Sequence, residues 1–215
     1  MSSKKSLSAH QKEIKEYCDK RGVEELIHFA PISRMPFILR YGLLTNAILR
    51  NARSEVGDQS RFDGNDDHAC LSINFPNYKL FFKRRSDAGP AEKWCVLSVS
   101  RALTWERSCI FYPCNAATGK GTYGKRGITG LKEMFADTSE GTNRDRALKN
   151  SYTTNPQAEI LVPDAVEPEF IEKVYFETES EMDIFGDIVK NSGRQSPVRK
   201  ELFLPRSDYR SWRRT

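Results

Sequence analysis

The chain has 215 residues, of which 38% are hydrophobic and 29% charged, with a net charge of +5. That length suits one domain with a sizeable core, and no apolar run is long enough to cross a bilayer. The opening "MSSKKSLSAHQKEIKEY" lacks the apolar centre of a secretory signal, so the cytoplasm is the expected location and no membrane partner is expected. Cys18, Cys70, Cys95, Cys109 and Cys114 are dispersed without a CxxC pair, which fits reduced thiols. The spacing of His68, Cys70, Cys109 and Cys114 matches no standard zinc pattern, so no metal is expected.

Helical spacing of Leu7, Ile14, Tyr17 and Cys18, with Gly22 as a stop, predicts a helix over 7–20. "VEELIHFA" reads as a strand with His28 near its end. In "PISRMPFILRYGLL", Ser33 is a candidate cap, Pro36 suits a first turn and Gly42 closes a short helix. Residues 50–68 are polar and read as a loop. "HACLSINF" alternates as a strand, "NYKLFFKR" is a plausible short helix, and "KWCVLSVS" is the best candidate for a central strand.

Residues 115–130 hold five glycines and the cations Lys120, Lys125 and Arg126. "GKGTYGKR" nearly meets the phosphate-loop spacing, but Arg126 stands where a magnesium-binding hydroxyl belongs, so a basic loop facing nucleic acid fits better. The polar stretch 138–156, with Arg144 and Tyr152, runs into the apolar "AEILV", an arrangement common for binding loops. "PEFIEKVYF" predicts a turn and another strand. From Lys190 to Thr215 eight Lys or Arg residues face two acidic ones, a net of +6 that leaves −1 for the rest of the chain. Arg210 and Trp212 in this segment combine charge with an aromatic face, which suits phosphates and stacked bases, the alternative being a solvated terminus that serves only solubility. Short strands and helices without regular βαβ alternation define an α+β class.

Three residues carry candidate chemistry. A neutral His28 can donate one hydrogen bond and accept another, which suits a ribose hydroxyl. Arg53 and Arg61 follow the first short helix, and a guanidinium fork there can grip a phosphate or pair with Asp63 or Asp66. Glu159 is a lone carboxylate within "NPQAEILVPDAV", where alternation sets Ala158, Ile160 and Val162 on one face and Glu159 with Leu161 on the other. It is either an edge-strand residue meeting water or a group facing a cleft. One carboxylate without a partner suits a reaction that develops positive charge on a sugar carbon.

The segments "LIHFAPISRMPFILRYGLLT", "RFDGNDDHACLSINFPNYKLFF" and "NPQAEILVPDAVEPEFIEKVYF", in that order over residues 25–176, resemble the DarT family of NAD-dependent ADP-ribosyltransferases, toxins of bacterial toxin–antitoxin pairs. The resemblance implies an ADP-ribosyltransferase-like fold of two small packed antiparallel or mixed sheets with short flanking helices. It divides the chain into a helical extension (1–24), the transferase domain (25–189) and a basic C-terminal tail (190–215). It implies NAD as cofactor, single-stranded DNA or RNA as target and an antitoxin protein as partner. His28 matches the family's NAD-anchoring histidine, Glu159 its catalytic glutamate, and Arg61 its active-site arginine, with Arg53 as the alternative. Tyr78 and Phe82 are expected on the nicotinamide side. The opening "IHFAP" and the segment after Arg61 depart from familiar members, which leaves the modified base open. A nucleic-acid-binding module without catalysis and a transferase acting on protein are the competing readings.

Overall fold

Ser8 starts the first helix, α1 (Ala9–Arg21), by accepting from the Gln11 amide while Gln11 returns a bond to the Ser8 amide. Gly22 ends it in the left-handed conformation. The computed structural model describes residues 6–51 and 67–212, so Arg53 and Arg61 lie outside the described residues, as does the side chain of Lys120.

Strand β1 (Glu25–Pro31) leads through a 3-10 turn into α2 (Met35–Tyr41). Pro36 sits in the first turn and Gly42 closes the helix, but Ser33 does not cap it, because the 3-10 turn moves the cap position to Arg34. Helix α3 (Asn46–Asn51) follows. β2 (His68–Ile73), α4 (Tyr78–Ala88) and β3 (Trp94–Ser100) occupy the three segments expected for them. Then come α5 (Leu103–Glu106), β4 (Ile110–Tyr112), β5 (Lys125–Arg126) and α6 (Gly127–Glu133). A hairpin of β6 (Thr138–Ser139) and β7 (Thr142–Asn143) precedes β8 (Glu159–Pro163) and β9 (Ile171–Tyr175). The sequence reading assigns no element to 177–191, where α7 (Glu179–Asn191) forms. Thr178 caps it at the Glu181 amide, and Met182, Phe185 and Val189 supply its inner stripe. That stripe stands at the i, i+3, i+7 spacing of a helix, so the element was legible in the sequence.

Seven strands run in the order β5-β4-β8-β2-β1-β3-β9, every neighbouring pair antiparallel. The two expected sheets are two halves sharing β2. His68–Leu71 pair with β8, whereas Ser72 and Ile73 pair with β1. "KWCVLSVS" is an interior strand flanked by β1 and β9, and β2 holds the middle of the order.

One face of the sheet carries the main core, with Leu26, Leu71, Leu97, Ile160 and Val162 packed beneath the helices. The opposite face divides into an aromatic cluster around Phe81, Trp94 and Tyr175 and a smaller cluster around Tyr112 and Leu161. Among the described residues no helix is long and apolar enough to cross a membrane, and no group of three or more His, Cys, Asp or Glu side chains is placed to hold a metal.

Residues 190–212, expected as part of a basic tail, are packed against the domain. Trp212 is 1% exposed and donates from Nε1 to Asp208 at 3.1 Å. Asp208 also takes both forks of the buried Arg206 at 2.7 Å. Three carbonyls of the chain's own turns and strands are met by Arg194, and Phe176 bridges to Val198. Apolar and hydrogen-bonding demand outweighs the repulsion among the segment's cations.

Candidate functional site

The ladder between β1 and β2 contains two pairs, Leu26–Ile73 and Ile27–Ser72. Beyond them the strands part, and a cavity of about 770 Å³ opens between residues 28–31 of β1 and 68–70 of β2. At this opening His28 Nδ1 lies 3.0 Å from the Cys70 carbonyl oxygen. A carbonyl only accepts, so Nδ1 carries the hydrogen and Nε2 of the neutral ring is the acceptor. Burial pushes the His28 pKa below 6.5, opposed by the Cys70 contact, and favours that neutral ring.

Glu159 begins β8, opposite Tyr112 of β4. Alternation sends Ala158, Ile160 and Val162 to the main core and Leu161 to the smaller cluster on the other face. Glu159 shares the Leu161 face, but it meets neither bulk water nor hydrocarbon. It is 8% exposed and lines the cavity. One oxygen accepts from the Ala116 backbone N–H at 3.0 Å, the other from Asn77 Nδ2 at 3.4 Å. Asn77 is itself buried and caps α4, its Oδ1 accepting from the Leu80 amide at 3.2 Å.

Two cations reach the cavity wall, Arg34 at the entry to α2 and Arg84 on α4. Phe29, Trp94 and Phe37 supply aromatic surface. Thr45 and Asn115 add polar groups. The cavity falls within the size usual for small-molecule and cofactor sites, mostly apolar with few fixed polar groups.

The remaining candidates among the described residues lie elsewhere. The cap residue Asn77 together with Leu80 and Arg84 of α4 forms the stripe that faces the cavity, and helical geometry turns Tyr78 and Phe82 away from it. Phe82 is 71% exposed. Tyr78 packs with the aromatic cluster, its hydroxyl pKa pushed up to about 12 by burial and then by the charge of Asp208. Arg144, expected on nucleic acid, donates to the carbonyls of Tyr152 and Lys149 and to the Thr154 hydroxyl. Tyr152 leans on Phe75, with Lys149 over its ring. Trp212 is buried, so it offers no face to a base, whereas Arg210 is exposed.

The near phosphate loop is not a phosphate cradle. Lys125 and Arg126 form β5 against β4, with Lys125 paired to Glu133 at 2.6 Å and Arg126 bonded to the Ser108 carbonyl. Its Gly124 serves close packing instead: a Cβ there would lie 2.4 Å from the Tyr112 ring. Asn77, Arg34 and Arg84 are the wall residues that pattern reading missed. The one available signal was Asn77 as the cap residue ahead of "YKLFF".

The family described as ssDNA thymidine ADP-ribosyltransferase, DarT, matches residues 27–202. Comparison with curated proteins finds no match. Among solved structures, Thermosipho africanus DarTG in complex with ADP-ribose superposes with a TM-score of 0.60 at 17% identity, over 84% of this chain and 51% of that one. The chain thus spans about half the length of that relative. Thermus sp. 2.9 DarT in complex with NAD+ gives 0.59 at 16% identity, over 84% of this chain and 98% of that one. The same Thermus protein in complex with ADP-ribosylated ssDNA gives 0.56 at 16% identity, over 85% and 97%. At these identities the superpositions show a shared fold.

Proposed function

The chain belongs to the DarT family, and from that premise we propose that it transfers ADP-ribose from NAD to a base of single-stranded DNA and releases nicotinamide. The observation that carries this reading is Glu159, a buried carboxylate with both oxygens held by N–H donors in the wall of a cavity that also presents His28. Similar structures that hold NAD+ and ADP-ribosylated ssDNA support the choice of cofactor and polymer.

The residues present fit NAD. The neutral His28 offers Nε2 as an acceptor for a ribose hydroxyl. Arg34 and Arg84 bring positive charge to the wall for a pyrophosphate, and Phe29, Trp94 and Phe37 bring flat apolar surface for rings. When bound, NAD supplies the ADP-ribosyl group and nicotinamide as its leaving group. Glu159 stabilises the positive charge that develops on the sugar carbon and takes up the proton that the attacking base nitrogen loses. Fixed donors hold its carboxylate in place beforehand, so little reorganisation accompanies the step. By family resemblance Arg61, or Arg53 in its place, supplies a further cation. The same resemblance supports the role of toxin, held in check by an antitoxin protein.

Labelled NAD offered to mixed single-stranded DNA, RNA and protein tests the proposal. Label on DNA, in proportion to nicotinamide released, is the expected result. Label on RNA or protein alone overturns the polymer assignment, and no transfer to any of them supports a binding module without catalysis. Oligonucleotides lacking one base at a time then identify the modified base, with thymine expected from the family description.

A further inference from the structure

Glu159 is joined to α4 through one side chain. Asn77 is 2% exposed and bonds in two directions: Oδ1 accepts from Leu80 N–H in the first turn of α4, and Nδ2 donates to Glu159 Oε1. The two oxygens of the carboxylate are thus met by donors from separate elements, Asn77 ahead of α4 and Ala116 in the loop after β4. A carboxylate held at one oxygen only can rotate about its last side-chain bond, a soft two-fold torsion. Held at both, its plane is set. The Asn77 contact is the longer of the two, at 3.4 Å against 3.0 Å for Ala116.

We propose that Asn77 is a positioning residue for the transfer: it orients the Glu159 carboxylate toward the reacting sugar carbon and couples that orientation to the α4 stripe whose other members, Leu80 and Arg84, line the same cavity. The inference rests on the catalytic role proposed for Glu159. A residue that merely capped the helix would need its oxygen and not its amide nitrogen. The structure uses both.

Two cap-preserving substitutions separate these roles. Serine and aspartate are both good helix caps. The serine of N77S would be too short to reach Glu159, and the aspartate of N77D would have no N–H to give. In N77S, with NAD and single-stranded DNA as substrates, kcat is expected to fall on the order of 10- to 100-fold, the range for loss of a hydrogen bond to a charged group. KM for NAD is expected to stay within about two-fold, because the contact is not to the ground-state ligand. Thermal unfolding of N77S, measured alongside, reports whether the cap survives. If N77S melts early, N77T, likewise a cap and too short to reach Glu159, supplies the same reading, whereas N77D adds a carboxylate beside Glu159 and counts only if its kcat is parental. A cap-preserving variant with parental kcat overturns the inference. Glu159→Ala is run in parallel: if that variant retains parental transfer, the reading of Glu159 itself fails, whereas an inactive Glu159→Ala beside a fully active N77S removes Asn77 alone.

Discussion

Arg206 and Asp208 form a buried, two-pronged ion pair, each 4% exposed or less, with both contacts at 2.7 Å. Two further guanidinium hydrogens go to the carbonyls of Thr153 and Thr154, both at 2.9 Å. These carbonyls belong to the polar stretch that runs into β8 and Glu159. A segment about 50 residues farther along the chain therefore holds the approach to the proposed active site.

Arg206→Met leaves Asp208 buried without its main partner and the two carbonyls without donors. A loss of about 3–5 kcal/mol in unfolding free energy is expected, as for other broken buried pairs. The double variant Arg206→Met, Asp208→Leu is expected to recover part of that loss, since no unpaired charge remains. Urea denaturation of the three proteins checks both statements. Equal stability of the two variants would show that the unpaired carboxylate is not the cause.

Glu159→Ala removes a group that acts in the transition state. Transfer to DNA is expected to drop about 100-fold or more, or roughly 3 kcal/mol of barrier. The change also leaves Ala116 N–H and Asn77 Nδ2 facing the cavity, where water can reach them, so the melting temperature is expected to move little. Initial rates and a thermal scan on the same preparation measure the two effects.

His28 makes stability depend on pH with a definite sign. Its folded pKa lies below the 6.5 of an unfolded histidine because burial disfavours the charged ring. Between 6.5 and the lower folded value, the unfolded chain binds a proton that the folded chain refuses. Stability from this group is present above about 6.5 and is lost as pH falls through that window, at no more than about 1.4 kcal/mol per pH unit for one proton. His28→Asn is expected to flatten the corresponding part of the stability profile. Denaturation midpoints above the unfolded value and below it, at about pH 7.5 and about pH 5.5, for parent and variant, decide it.

Gly42 closes α2 with φ of 84°, and a Cβ there would lie 2.1 Å from the Val166 carbonyl oxygen. That carbonyl accepts from Leu43 N–H at 2.9 Å, tying the cavity wall to the strand connection after β8. Gly42→Ala is expected to destabilise by about 1–3 kcal/mol from backbone conformation alone, with the clash adding to it. Differential scanning calorimetry measures the shift.

Local chemistry made several elements readable in advance. The cap and stop around α1, the Pro36 and Gly42 ends of α2, and the alternation of β2 and β8 depend on neighbours within a few positions, and such signals are written in the chain. The two faces of β8 followed from alternation too, which is why Glu159 stood out as a charge within an apolar run.

Tertiary structure decided where that charge points. Alternation assigns a face but not what covers it, and what covers Glu159 comes from Asn77 and Ala116, 82 and 43 positions away. The cations tell the same story in reverse. Composition counts Arg144 and Arg206 as charge offered to a phosphate, yet folding surrounds both with backbone carbonyls. Formal charge is a property of residue type, whereas its availability depends on which unpaired acceptors the fold brings within reach. Near and distant contacts together, fixed only on folding, determine that.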